Sequence, residues 1–147
     1  MNTKNVQALS LMIERFGHDT LISIATLDCN RPAVRIVNSY YEDSSFYTVT
    51  YSLSNKMKQI KKNSGVAICG EWFTAHGIGE NIGHPRDEKN VELMMKLRDV
   101  FKEWYYNGHT NEEDPHTCIL RVRLTDGVLM SQGKRYDIDF VKQEAVK

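Results

Sequence analysis

Proline is scarce in this sequence, with three in 147 residues, and no linker, repeat or low-complexity tract divides the chain. One compact domain spanning 1–147 is the expectation. Cysteine is equally scarce. Cys29, Cys69 and Cys118 are odd in number, far apart and never in a C-x-x-C spacing, which argues against a disulfide framework and fits a reducing compartment. They read as small buried hydrophobes. Net charge is absent too: 19 Lys plus Arg balance 19 Asp plus Glu, so no global basic field exists for nucleic acid, and any anion recognition must be local. No apolar run approaches the roughly 18 residues of a membrane span, and "MNTKNVQALSLMIERF" has charges where a signal peptide would be uniformly apolar. The cytoplasm is therefore the expected location, with no membrane partner.

Familiar chemical signatures are missing as well. There is no Walker loop, no G-x-G-x-x-G between strand and helix, no H-E-x-x-H and no G-x-S-x-G elbow. His18, His76, His84, His109 and His116 are scattered without metal spacing, so loop or surface positions are expected and no metal. "NEED", residues 111–114, reads as a solvated loop.

What is present begins with a helix. Thr3 can cap it, Leu9, Met12, Ile13 and Phe16 recur at helical spacing, and Gly17 can end it. From Thr20 the period changes, and it is two where Ile119, Arg121 and Arg123 alternate against Leu120, Val122 and Leu124. "TLISIATL", "AVRIVNSYY" and "SFYTVTY" are β-branched and aromatic runs parted by the turn clusters "DCNRP" and "EDSS", which predicts an antiparallel meander. A short helix, "SNKMKQIKKN", is followed by two strands, "GVAICGEW" and "TAHGIGENI", whose glycines suggest bulges or close backbone approach. A long helix is predicted from Pro85 to Tyr106, with Val91, Met94, Leu97, Phe101, Trp104 and Tyr105 as its stripe, either core or one wall of a ligand pocket. "TCILRVRLTDGVLM" and "RYDIDF" close the chain as strands. Such a pattern argues for a β-barrel or an α+β meander with helices outside it.

Two positions stand out chemically. If Ser54 caps the short helix, then Asn55 and Lys56 fill its first turn, where the helix dipole and free N–H groups are already positive, and no acid offsets them. An oxyanion such as a phosphate resolves that conflict. The other lysines, Lys58, Lys61 and Lys62, suit a solvated face. Arg35 sits in the middle of an apolar strand, where an unpaired guanidinium is costly to bury, so it either faces water or meets an anion. Arg35 and Lys56 together could grip one phosphate.

On "RPAVRIV" and on "SNKMKQIKKN", with Ser54, Lys56, Gln59, Ile60 and Asn63 in an S-x-K-x-x-Q-I-x-x-N pattern, the chain resembles the pyridoxamine 5′-phosphate oxidase-like, FMN-binding split-barrel proteins. "WFTAHGIGE" and "LRVRLTDGVLM" look like later strands of that family. The resemblance implies a mainly β (α+β) fold, a six-stranded antiparallel split β-barrel of Greek-key topology with flanking helices. It also implies FMN as cofactor, with Arg35 and Lys56 on its phosphate aided by Ser54 and Asn55. Ile36 and Val37 would line the isoalloxazine through backbone groups, Val49 and Thr50 would touch the flavin from the next strand, and Trp72 would approach it from the partner subunit of a homodimer. Two features depart from the true oxidase: Tyr40 stands where a substrate lysine is expected, and Arg135 is followed by Asp137 where the C-terminal R-x-H motif has histidine. The implied activity is flavin redox chemistry on a small molecule or with a nicotinamide donor, as a reductase or oxidase other than pyridoxamine phosphate oxidase. A non-catalytic flavin, haem or deazaflavin binding or sensing module is the alternative, and a cofactor-free interaction domain a third.

Overall fold

A computed structural model describes residues 3–142 and 144–146. Helix α1 (Thr3–Phe16) leads into strands β1 (Thr20–Asp28), β2 (Arg31–Glu42) and β3 (Ser45–Tyr51). Helix α2 (Asn55–Lys62) then carries the chain to β4 (Gly65–Gly70) and β5 (Phe73–Asn81). After α3 (Val91–Val100) and the short α4 (Lys102–Trp104) come β6 (Thr117–Ser131), β7 (Lys134–Asp139) and β8 (Glu144–Val146).

All neighbouring strands pair antiparallel in the order β3-β2-β1-β4-β5-β6-β7-β8, and β6 also pairs with β3. The first six strands therefore close into a barrel. Three hairpin-connected strands followed by a fourth that returns beside the first make the Greek key, and α2 is the connection that returns it. Length explains how β6 serves two neighbours on one side: Thr117–Arg123 pairs with β3, and Asp126–Ser131 pairs with β7. Turn chemistry fixes the hairpins. Asp43 and Ser44 both have positive φ, as do Gln132 and Gly133, the conformation that matches the twist of two-residue hairpin loops.

Alternation along the strands builds the core. Ile22, Ile24, Phe46, Val66, Ile68, Phe73, Leu120, Val122 and Leu124 point into the barrel, and α1 closes one side of it with Ala8, Met12 and Phe16. A second cluster lies outside the barrel wall, where α3 packs Met94, Leu97 and Phe101 against Val49 and Ile119. Of the cysteines only Cys118 is buried; Cys29, in the β1–β2 turn with φ 56°, and Cys69 are exposed. Among the described residues no helix is long and apolar enough to cross a membrane.

The predicted long helix from Pro85 to Tyr106 is broken. A 3-10 turn at Glu88–Asn90 precedes α3, Phe101 leaves helical geometry at φ −96°, ψ 13°, and after α4 a wide turn over Tyr105–His109 ends on Gly108 at φ 103°. Beyond the break Trp104 Nε1 donates to Asp19 Oδ2 at 2.9 Å and Tyr105 OH donates to Glu112 Oε2 at 2.5 Å.

Glu112 is consequently no part of a solvated loop. Arg98 grips it with two hydrogen bonds of 2.9 and 2.8 Å, and its side chain is 13% exposed. Those bonds from Arg98, helped by Tyr105, hold its carboxyl down at about 2 from an ordinary 4.5. A depressed acid stabilises the fold above its unfolded pKa and loses that contribution as pH falls toward the folded value. Glu112→Ala is expected to cost about 1–3 kcal/mol at pH 7, where it strands Arg98 and the Tyr105 hydroxyl. Urea melts should show the difference from the parent shrinking as pH drops from 4.5 toward 2.

Candidate functional site

The site is built where α2 caps one end of the barrel. Ser54 is the N-cap, with φ −67° and ψ 157°, and its hydroxyl accepts from the Met57 N–H at 3.4 Å. Met57 and Ile60 are buried, which fixes α2 across the barrel mouth and turns Lys56 inward rather than into solvent. The Lys56 ammonium donates to Thr50 Oγ1 at 2.5 Å. Thr50 pairs in register with Cys118 on β6, which puts that thiol in the same enclosure. Burial pushes the Cys118 thiol up to about 11, so it is a neutral wall of the site rather than a nucleophile.

Arg35 reaches this end of the barrel from β2, on the inward face it shares with Val37, Ser39 and Tyr41. Its Nη1 donates to Ile24 O at 3.2 Å and to Thr26 Oγ1 at 2.8 Å, and Nη2 donates to Gln59 Oε1 at 3.1 Å. Every one of those acceptors is neutral. Among the described residues neither Arg35 nor Lys56 has a carboxylate within salt-bridge distance, while eight other pairs are formed elsewhere. Lys56 is held below the ordinary lysine value, first by burial and then by the positive charge of Arg35. Arg35 is lowered by burial as well.

Two partly desolvated cations gathered at α2, Lys56 from its acid-free first turn and Arg35 through Gln59, form a donor set that fits an oxyanion. The residues predicted to meet a phosphate, Arg35, Ser54, Asn55 and Lys56, are therefore brought together. What the sequence left unassigned is the support: Thr26, 2% exposed, and Gln59 hold the guanidinium from behind. A hydroxyl amid the apolar alternation of β1 was the available signal for Thr26.

No family model matches the chain. General stress protein 26 of Bacillus subtilis is 24% identical over 139 residues, covering 92% of this chain and 95% of that protein. Among solved structures, a protein of Clostridium acetobutylicum related to general stress protein 26, of the pyridoxinephosphate oxidase family, superposes with a TM-score of 0.64 at 15% identity over 95% of this chain and 96% of its own. A pyridoxamine 5′-phosphate oxidase-related, FMN-binding protein of Nostoc punctiforme does so with a TM-score of 0.57 at 19% identity, over 96% and 95%. The chain has the pyridoxamine 5′-phosphate oxidase-like split-barrel fold.

Within this split barrel the remaining predicted residues divide between faces. Ile36 points away from Arg35 and is 67% exposed on the outer face, whereas Val37 turns inward against the core. Val49 is buried against α3 and Ile119, so its neighbour Thr50 is the one of the two whose side chain reaches Lys56. Trp72 lies elsewhere. It occupies the β4–β5 turn at φ 51° and is 73% exposed, while α2 packs at the opposite end of those strands, where Ile60 abuts Gly79. Within one chain Trp72 and Arg35 are thus at different ends of the barrel.

The two departures from the true oxidase are also engaged in other ways. Tyr40 OH donates to Glu42 Oε1 at 3.2 Å, and Glu42 is in turn bound by Lys96. Arg135 is spent on Asp137, at 2.9–3.2 Å.

Proposed function

We propose that residues 1–147 form a single FMN-binding domain in which Arg35 and Lys56 hold the flavin phosphate over the N-terminus of α2, with Ser54 and Asn55 offering hydroxyl, amide and backbone donors. The observation that carries this reading is that Arg35 and Lys56, close enough for the charge of one to act on the other, bond only neutral acceptors and pair with no carboxylate among the described residues. A phosphate supplies the charge that they lack. Backbone groups of Ile36 and Val37, together with Val49 and Thr50, would flank the isoalloxazine. Bound FMN would supply hydride and single-electron chemistry, which makes the protein a flavin-dependent reductase or oxidase of a small molecule, fed by a nicotinamide or another donor.

A homodimer belongs to the same proposal. Leu21, Leu27, Val34 and Ile36 lie on the outer face of β1 and β2, 39–69% exposed, an apolar surface that a second copy would cover and on which Ile36 adjoins the flavin strand. The exposed Trp72 ring would reach the flavin of the partner. Tyr40 and Asp137, engaged as they are, supply neither the lysine nor the histidine of pyridoxamine phosphate recognition, so the substrate is a different one. A reducing, cytoplasmic setting suits the two exposed free thiols, Cys29 and Cys69.

Absorbance of the purified protein tests the proposal. Flavin bands that bleach anaerobically with NADH are the expected result. Bands that persist with every donor tried would favour the binding or sensing module, and a colourless protein that takes up no added FMN would overturn flavin binding itself.

A further inference from the structure

We propose that Thr26 and Gln59 form an acceptor clamp that aims Arg35 at the anion, and that this clamp sets how strongly the site prefers a phosphorylated flavin over the same flavin without its phosphate. The proposal rests on the FMN reading above and concerns residues that do not themselves touch the phosphate.

Among the described residues the guanidinium is hydrogen-bonded along one side and open along the other. Thr26 has one hydroxyl proton, which goes to Gln59 Oε1 at 2.5 Å, and the same oxygen accepts from Arg35 Nη1 at 2.8 Å. Gln59 Oε1 accepts from both Thr26 and Arg35 Nη2, the latter at 3.1 Å, so both of its lone pairs are used and the amide cannot turn over without facing its NH2 to a cation. Ile24 O takes the other Nη1 proton at 3.2 Å. Arg35 therefore spends both protons of Nη1 and one of Nη2 on fixed acceptors from β1 and α2. Among the described residues the Nε–H and the second Nη2 proton have no acceptor, which leaves a pair of donors on one edge of a guanidinium held by three hydrogen bonds.

That arrangement matters because an unclamped arginine on a strand has many rotamers, and its entropy must be lost when the anion binds. A neutral clamp fixes the group without neutralising it. An acidic residue at position 26 or 59 would hold Arg35 as firmly and cancel the charge that the anion needs. Thr26 is 2% exposed, so its hydroxyl has no access to solvent as a substitute partner.

Fluorescence-quenching titrations of the apoprotein with FMN and with riboflavin decide the matter, using charge-neutral variants so that the overall field is unchanged. Thr26→Val and Gln59→Leu are expected to weaken FMN binding about five- to twentyfold while riboflavin binding moves less than twofold. Thr26→Ser, which keeps the hydroxyl, should restore the parental ratio. Equal losses for both ligands, or an FMN affinity unchanged in both variants, would overturn the clamp. A parent protein that shows no preference for FMN over riboflavin would instead remove the phosphate reading on which the clamp depends. Melting curves of each apoprotein, run alongside, show whether a variant that loses both ligands has simply unfolded, and Thr26→Ser then carries the comparison.

Discussion

Lys56→Met is expected to lower FMN affinity about ten- to a hundredfold while leaving the apoprotein as stable as its parent, within a few degrees in Tm. The affinity loss follows from removing one charge-assisted hydrogen bond to a phosphate oxygen in a partly desolvated site, worth about 1.5–3 kcal/mol. The unchanged stability follows from the state of Lys56 before any anion arrives. Burial and the charge of Arg35 both lower its pKa, so for this base the protonated form is disfavoured by folding, and its stability cost is relieved as pH rises through the depressed value. Methionine keeps the stem that packs beside Thr50 and removes that cost, against the loss of one hydrogen bond to the Thr50 hydroxyl. The same linkage gives a pH signature. FMN favours protonated Lys56, so affinity should decline as pH rises through the lysine's depressed pKa, whereas the Met variant should be flat over that range. Titrations at a series of alkaline pH values read both effects. Unchanged FMN affinity in Lys56→Met would remove Lys56 from the site.

Why Lys56 and Arg35 could be seen in advance is a matter of local contradiction. A lysine where a helix wants an acid, and an arginine in an apolar strand, are each visible within a few residues of sequence. The strands were equally local: period two along β1 to β7 follows from side-chain alternation, and the inward residues Ile22, Ile24, Leu120, Val122 and Leu124 fall where that period puts them. Tertiary facts were not visible in this way. Thr26 meets Gln59 across 33 residues and Arg35 meets Gln59 across 24, so nothing in either neighbourhood announces the clamp. The partners of the residues just beyond the break at Phe101 are hidden too: Trp104 meets Asp19 across 85 residues, and Tyr105 meets Glu112. Glu112 itself sits in a polar run that composition alone assigns to water; only the fold brings Arg98 to it. Trp72 was singled out by its position, but its left-handed backbone is a property of the hairpin turn, and a bulky residue kept there at φ 51° is held against its own preference.

Phe16→Ala is expected to destabilise the protein by about 3–5 kcal/mol, the usual range for removing a large buried ring. Phe16 is the last residue of α1 and fully buried, with its ring 5.5 Å from Phe46 in an edge-on arrangement and 5.3 Å from Phe73. These rings join the helix to β3 and β5, so the cavity left by alanine would open at the seam between α1 and the barrel. At roughly 2–4 °C per kcal/mol for a chain of this size, Tm should fall by about 6–20 °C. FMN affinity measured well below that Tm should change less than twofold, since Phe16 packs on Phe46 and Phe73 whereas Arg35 and Lys56 are held by Ile24, Thr26, Gln59 and Thr50. The seam also explains Gly70. A Cβ there would come within 2.7 Å of Phe16 Cε1, so Gly70→Ala has no room while the ring is present. Combining Gly70→Ala with Phe16→Leu should therefore cost less than the sum of the single changes, by about 1 kcal/mol in a double-mutant cycle. Strict additivity would mean that the ring moves aside without cost, and that close packing at the foot of α1 is not what fixes the helix to the sheet.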